Sequence, residues 1–229
     1  GEYSAYVFSP EGMKDELVSL IDVVTTNKTD FFRESAHFDF LTEAAIPHLV
    51  KTYGTGLDRP LRVWSAGCSS GEEAYTMAMV LSEVAESLPG FSFSILATDI
   101  STLVLDKARQ GIYSMDRVDP VDMALKKKYL LRGKGDQSNM VRVIPELRSL
   151  VTFRRLNFLD ADFGIPQPMD IIFCRNVIIY FDQQTQKKLL NKLAGHLDAG
   201  RYIFMGHSET LNGLDLPLSQ VSPSVYQKK

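Results

Sequence analysis

Residues 61–75 read Leu-Arg-Val-Trp-Ser-Ala-Gly-Cys-Ser-Ser-Gly-Glu-Glu-Ala-Tyr, and the fold turns on this stretch. Leu61, Val63 and Trp64 are strand formers, so 61–66 predicts a short strand. Gly67 and Gly71 permit a tight turn and let a ligand approach bare backbone. Ser70 is placed to cap the helix that follows, with Glu73 at the capping-box position. Ala74, Met77, Ala78, Leu81 and Val84 then form an apolar stripe at helical spacing. A Gly-bearing strand-to-helix turn is where a nucleotide-type ligand sits in an open α/β sheet, although the same layout also serves as a plain βα turn.

The turn also restricts the nucleotide. A dinucleotide fingerprint needs G-x-G-x-x-G and a P-loop needs G-x-x-x-x-G-K-[ST]. Here the glycines are spaced G-x-x-x-G, and Glu72 and Glu73 stand where a pyrophosphate wants bare amides. Two carboxylates suit a ligand without phosphates and with a positive charge. S-adenosylmethionine, a sulfonium with a free amino group, meets that description.

The chain of 229 residues, 45% hydrophobic and 23% charged, has the means for one sizeable α/β domain, alone or with an appendage. A net charge of −3 gives no general argument for nucleic acid. Cys68 and Cys174 lie far apart without metal spacing, which points to a reducing, cytoplasmic setting. With no apolar run of ~18 residues and no signal-peptide pattern, a soluble protein without membrane insertion is expected. The first residue is Gly1 rather than Met, as in a fragment of something longer.

Upstream of the central stretch, residues 1–12 read as a loose lead-in. Leu17, Val18, Leu20, Ile21 and Val24 predict a helix over 13–24. A polar cluster over 25–30 follows, then a helix carrying Phe31, Phe32, Phe38, Phe40, Leu41 and Leu49, whose aromatics belong in the core. Asn27, Thr29 and Arg33 lie on the cap and first turn and can face one spot.

Downstream, residues 91–97 predict a buried parallel strand ending in Thr98-Asp99. An acid at the end of the second strand is placed to accept hydrogen bonds from a ribose diol, and Ser101 is the better helix cap. A helix over 103–108 stops at Gly111. Residues 131–150 read as a small antiparallel excursion from the main sheet. Within 126–155 there are nine Lys/Arg against two acids, a basic stretch fit for docking a partner or for a plain solvated face.

A strand over 151–155 leads to Asn157, which either lies at an adenine edge or satisfies a turn. Residues 169–174 form a third buried strand, with Arg175 and Asn176 at its carboxyl end. An amphipathic helix over 183–197, a strand over 202–205 and two short extended segments complete the chain. This alternation predicts a mostly parallel sheet whose last strand is reversed. His207, Ser208 and Glu209 invite a hydrolase reading, but three successive residues cannot align as nucleophile, base and orienter. The remaining histidines lack metal spacing.

Five blocks, taken together and in order, resemble the CheR-type chemotaxis receptor methyltransferases. They are Thr-Thr-Asn-Lys-Thr-Asp-Phe-Phe-Arg-Glu at 25–34, the run from Trp64 to Glu73, Ala-Thr-Asp-Ile at 97–100, Cys-Arg-Asn-Val-Ile-Ile-Tyr-Phe at 174–181, and Gly-His-Ser-Glu at 206–209. The likeness covers about residues 20–229; residues 198–202 depart from it by lacking a Pro-Gly-Gly turn. It implies a class I S-adenosylmethionine-dependent methyltransferase fold, Rossmann-like and seven-stranded, with a small inserted antiparallel β-subdomain at about 131–150. Residues 1–24 would be the remnant of an N-terminal helical domain and 25–229 the catalytic domain.

By the same resemblance, Asn27, Thr29, Arg33, Gly67, Glu73, Asp99, Asn157, Phe158, Arg175 and Asn176 would bind the cofactor, with no metal. Arg33, Arg175 and Tyr180 would steer the acceptor. The implied reaction is methyl-ester formation on glutamate side chains of chemotaxis receptors, by a cytoplasmic monomer, with S-adenosylhomocysteine as product. Two rivals remain open: a cofactor-binding scaffold without turnover, and methylation of another protein or a nitrogen. Against nitrogen, Arg-Asn-Val-Ile at 175–178 stands where an Asn/Asp-Pro-Pro-aromatic block is common.

Overall fold

The computed structural model describes residues 28–211 and 213–229, together with Tyr6, Ser9 and Asp22. The expected helix over 13–24, Asp22 apart, lies outside these residues, as does Asn27. The first elements are helix α1 (Ala36–Phe40), a π turn (Leu41–Ala45) and helix α2 (Ile46–Tyr53). A single helix was expected over this stretch. Pro47 has no N–H to give the carbonyl of residue 43 and its ring needs room there, which a wider turn provides.

The central stretch folds as strand β1 (Leu61–Ala66) and helix α3 (Glu72–Ser87). Strand β2 (Phe93–Asp99) and helix α4 (Thr102–Gln110) follow. Ser101 caps α4, its hydroxyl accepting from the Val104 amide, and Gly111 closes it at φ 61°. Three short strands come next: β3 (Ile112–Ser114), β4 (Leu130–Arg132) and β5 (Met140–Val143). Helix α5 (Met123–Tyr129) precedes β4. These strands form a separate antiparallel sheet in the order β3-β5-β4. It begins earlier than the expected 131, because β3 has only three residues and too short a pattern to read.

Helix α6 (Pro145–Ser149) leads to β6 (Val151–Arg155) and β7 (Met169–Cys174). Helix α7 (Gln183–Gly195), β8 (Leu197–Met205), β9 (Leu218–Ser222) and β10 (Val225–Lys228) end the chain. The main sheet has the order β6-β2-β1-β7-β8-β10-β9. Strands β6, β2, β1, β7 and β8 are parallel, and β10 runs antiparallel to β8 and β9. The mostly parallel sheet with its reversed last strand is therefore as expected.

Alternation along the central strands builds a core on each face of this sheet. Val63, Ile171, Phe173, Tyr202 and Phe204 join Phe31, Phe38, Leu49 and Tyr75 on one face. Trp64, Ile172, Cys174, Ile203 and Met205 join Leu189, Leu190 and Leu193 on the other. Because the five parallel strands share one direction, Ala66, Asp99, Arg155, Cys174 and Met205 all end at one edge. That edge carries the site.

The β1–α3 turn depends on close backbone approach. Gly71 sits at φ 95°, and a Cβ there would lie 2.9 Å from Ala108 Cβ and 3.1 Å from the Tyr113 hydroxyl. We expect Gly71→Ala to lower stability by about 2–5 kcal/mol, left-handed strain of about 1–2 adding to overpacking of about 1–3. Gly90→Ala, at φ 85° with its nearest neighbour 3.9 Å away, should carry the strain alone. Equal losses in thermal or urea melts would show that packing at Gly71 contributes nothing.

Candidate functional site

A cavity of about 420 Å³ opens at the carboxyl edge of the parallel strands. Thr29, Arg33, Gly67, Glu73, Asp99, Asn157, Phe158, Arg175, Asn176 and Tyr180 all line it. Every described residue that the resemblance assigns to the cofactor or the acceptor is thus gathered in one place from five separate segments. Lys28, Ser69, Ile100, Leu159, Val177 and Phe181 complete the wall. The sequence reading missed these six, though most are direct neighbours of residues it named.

The floor is the turn after β1. Gly67 (φ 89°), Ser69 (φ 48°) and Gly71 (φ 95°) are left-handed, and the Gly67 and Cys68 amides donate to the Thr98 carbonyl at 2.8 and 2.9 Å. At Gly67 a Cβ would stand 2.5 Å from Val177 Cγ2, so only glycine keeps this wall in place. The Asp99 carboxylate accepts from the Ser69 amide at 2.8 Å and the Ser101 amide at 3.0 Å. Burial raises the Asp99 pKa above the usual carboxylate value, while the Ser101 and Ser69 amides oppose the rise. A carboxylate has about four lone-pair sites, so beyond these amides and that of Ile100 it keeps acceptor capacity for a ligand hydroxyl.

The two glutamates opening α3 behave differently from the sequence expectation. The helix cap is Gly71, with no side-chain cap, so there is no Ser70/Glu73 capping box. The Ser70 hydroxyl donates instead to Glu72 Oε2 at 2.7 Å. Glu72 turns away from the cavity and pairs with Arg117 at 2.6 Å. Glu73 faces the cavity, accepting from the Ser65 hydroxyl at 2.6 Å and from Arg175 Nε at 2.7 Å. Adjacent helical residues point roughly 100° apart, so a consecutive pair cannot share one pocket. Both carboxylates are matched by protein guanidinium groups, which removes the argument that they call for a cationic ligand.

Arg175 is fixed rather than free. Its Nη1 donates to the Arg33 carbonyl at 2.7 Å, and its plane lies over Phe38 and Phe173 at 5.5 and 5.6 Å. A guanidinium only donates, so His37 Nδ1, 3.1 Å from Nη1, accepts. Burial, and then the Arg175 charge, lower the His37 pKa to about 4, which keeps the ring neutral. Glu34, His37 and His207 bring ligand-type atoms within 4.8 Å of one another. Arg175 Nη1, 3.5 Å from Glu34 Oε2, already places a positive charge in that cluster.

Arg33 and Tyr180 are less constrained. Among the described residues the Arg33 guanidinium bonds only to the Lys28 carbonyl, at 3.2 Å, and Tyr180 is 62% exposed at the cavity mouth. Asn157 Oδ1 accepts from the Leu159 amide at 3.0 Å, so this side chain satisfies a turn while lining the cavity. Asn176 is left-handed at φ 60°. Its loop is held by Glu209, whose buried carboxylate accepts from the amides of Gly206, Asn176 and Ile178 at 2.7, 2.8 and 2.9 Å. Glu209 has no part in a hydrolase triad; its carboxylate supports this loop from beneath.

The cavity meets the demands of S-adenosylmethionine on its own features. It offers a bare-backbone floor at Gly67, a desolvated acid with free lone pairs at Asp99, and apolar walls from Ile100, Phe158 and Leu159. Its volume lies within the range of ordinary small-molecule clefts.

Residues 27–226 match the family model described as "CheR methyltransferase, SAM binding domain". The chain is 44% identical over 214 residues to the chemotaxis protein methyltransferase of Borreliella burgdorferi, covering 93% of this chain and 74% of that one. It is 40% identical over 228 residues to chemotaxis protein methyltransferase 2 of Pseudomonas aeruginosa, covering 99% and 78%. With the chemotaxis protein methyltransferase of Escherichia coli it shares 39% identity over 211 residues, covering 92% and 70%. Together with the sheet order and the cavity, these matches establish that the chain belongs to the CheR family of S-adenosylmethionine-dependent methyltransferases.

Proposed function

We propose that this chain forms methyl esters on glutamate side chains of chemotaxis receptors, and that the cavity at the sheet edge is where it does so. The observation that carries the reading is the convergence of Asp99, Glu73, Arg33, Asn176 and Tyr180, from distant parts of the chain, on one cavity. Asp99 holds the ribose diol, Ile100, Phe158 and Leu159 flank the purine with Asn157 at its edge, and Gly67 lies beneath. Thr29 and Arg33, with Asn27 by the family resemblance, bound the amino-acid end, and Asn176 borders the transfer site. Glu73 and Arg175 form that end's wall as a neutralised pair.

When bound, S-adenosylmethionine supplies an already activated methyl group on sulfur. A glutamate side chain has a pKa near ~4.3 and is ionised at neutral pH, so the protein need not provide a general base. The task left to the side chains is alignment and exclusion of water. Arg33 suits the approach of a carboxylate, since among the described residues its guanidinium has a single carbonyl partner. Tyr180, exposed at the mouth, is placed to meet the same acceptor. Arg175, locked on Glu73, acts by positioning rather than by touching the acceptor.

Residues 25–229 are the catalytic unit in this reading, with the small sheet as its insert. Receptor docking falls to the basic region 126–155. There, among the described residues, Lys128 alone is neutralised by carboxylates, those of Glu83 and Glu86 at 2.7 and 2.6 Å. Among the described residues no helix is long and apolar enough to cross a membrane. A cytoplasmic monomer meeting the receptors' signalling helices is the corresponding setting.

With labelled S-adenosylmethionine and a receptor cytoplasmic fragment, the expected product is protein-bound label released as methanol by mild base. Base-stable label, or none from protein that binds S-adenosylhomocysteine, contradicts the reading. Arg33→Ala and Tyr180→Phe should each lower kcat/KM for the receptor about tenfold or more, about 1.4 kcal/mol of transition-state stabilisation.

Asp99 gives a pH test. A diol donates best to the ionised carboxylate, so affinity is complete above the raised pKa and lost as pH falls through it. Calorimetry should find S-adenosylhomocysteine binding constant near neutrality, then weaker by up to about tenfold per pH unit below that pKa. Asp99→Asn should bind about 10–100-fold more weakly and show no such slope, hydrogen bonds to charged groups being worth about 1.5–3 kcal/mol. An unchanged slope in the variant would assign the titration to another group.

A further inference from the structure

We infer that Arg117 is a positioning residue for cofactor binding: from beside the small antiparallel sheet it latches the strap 28–30 along the rim of the cavity. The inference rests on the cavity being the cofactor site, as proposed above. Arg117 lies in the 3₁₀ turn Met115–Val118 that directly follows β3, outside every sequence block that resembles the family.

Its guanidinium bridges three acceptors. Nη2 donates to Glu72 Oε1 and to the Thr29 carbonyl, both at 2.6 Å, and Nη1 donates to Asp30 Oδ1 at 3.1 Å. Glu72 is the anchor: its side chain is 1% exposed and its other oxygen takes the Ser70 hydroxyl at 2.7 Å. A carboxylate buried to that degree needs a fixed counter-charge, so Arg117 is held by the body of the domain. The planar fork then serves the strap with its remaining donors, which a point charge cannot do at once.

The strap has little else to hold it. Lys28 to Asp30 have no regular structure, and both Lys28 and Thr29 line the cavity. The Arg33 guanidinium bonds to the Lys28 carbonyl and the Arg33 amide to the Asp30 carbonyl, but these bonds stay within the segment. Among the described residues, every hydrogen bond tying 28–30 to the rest of the domain comes from Arg117. From Phe32 onward the anchors are different: its amide donates to Thr76 Oγ1 at 3.2 Å, and the Arg33 carbonyl accepts from Arg175. Releasing Arg117 therefore loosens the part of the rim at Lys28 and Thr29 while Arg33 keeps its place.

The split between those anchors gives the test. Arg117→Met alone would leave Glu72 buried and unpaired, so the informative protein is Arg117→Met/Glu72→Gln, with Arg117→Lys as the conservative comparison. In the ligand-free chain, amide exchange of the peptide spanning 28–33 should speed at least about fivefold in the double variant, with the melting temperature within a few degrees of the parent. Its Kd for S-adenosylhomocysteine and KM for S-adenosylmethionine should both rise about tenfold or more, while kcat at saturation changes less than about threefold. Arg117→Lys, keeping the charge but not the fork, should fall between.

Unchanged exchange over 28–33 in a folded double variant overturns the latch. Faster exchange with unchanged Kd overturns its role in cofactor binding, and a loss confined to kcat does the same. Failure of the parent chain itself to bind S-adenosylhomocysteine would instead count against the cofactor site, with the exchange measurement still deciding the latch.

Discussion

The buried contact between Arg175 and Glu73, 2.7 Å from Nε to Oε2, is the constraint on which the geometry of the site depends. It joins the carboxyl end of β7 to the first turn of α3, and through Nη1 it also grips the Arg33 carbonyl. Three segments far apart in sequence are thereby fixed around one guanidinium. Taking such a pair out of water costs several kcal/mol per ion, which only dense compensation offsets. Here that compensation comes from the Ser65 hydroxyl, the Arg33 carbonyl, a neutral His37 and the faces of Phe38 and Phe173. Losing one partner would strand a buried charge at about 3–5 kcal/mol, so the pair functions as a unit.

The same economy applies to the other acids around the cavity. Glu209 uses its carboxylate on three backbone amides, holding the loop after β7 against the end of β8. Gly206 makes room for this, since a Cβ there would stand 2.6 Å from Asn176 Nδ2 and 2.9 Å from Glu209 Oε2. Glu72 is matched by Arg117, and Asp99 organises the turns after β1 and β2 by accepting from Ser69 and Ser101. Each of these acids thus shapes backbone or meets a guanidinium, and Asp99 also keeps acceptor capacity for a ligand.

What was legible in the sequence follows from the reach of each signal. Period-two patterns and Gly turns are local, so β1, β2, β7 and their ends at Ala66, Asp99 and Cys174 could be read directly. The reversed final strand came from the alternation of elements, which is a property of the whole chain. The partner of a charge is not local. Nothing within 61–75 says that Glu72 turns to Arg117 while Glu73 turns to Arg175, residues 45 and 102 positions away. Ser69 escaped notice because a left-handed serine carries no compositional mark, and β3 because three residues are too few to establish a period. Arg175 showed its place at a strand end but not its burial, since a charged residue beyond a strand is ordinarily solvated.

Charge balance at the cavity then bears on the kind of acceptor the enzyme can take. Glu73 and Arg175 cancel, and Asp99 is held deep by amides beside the turn after β1. On the strap side the cations are Lys28, an exposed residue, and Arg33, bonded among the described residues to a single carbonyl. Neither forms an ion pair with a carboxylate among the described residues, so both cations remain available to an anionic group at the opening. A lysine ammonium would meet repulsion there, whereas an ionised glutamate is drawn in and needs no base once it arrives. Methyl transfer to a carboxylate also removes one negative and one positive charge together, so a site whose buried Glu73–Arg175 pair is already neutral has no reason to resist the change. The internal pairing that organises the backbone is therefore the same feature that suits the site to ester formation. Of the five charged side chains lining the cavity three are cations, Glu73 is paired with Arg175 and Asp99 is held by amides, so among the described residues none is a base dedicated to the acceptor group.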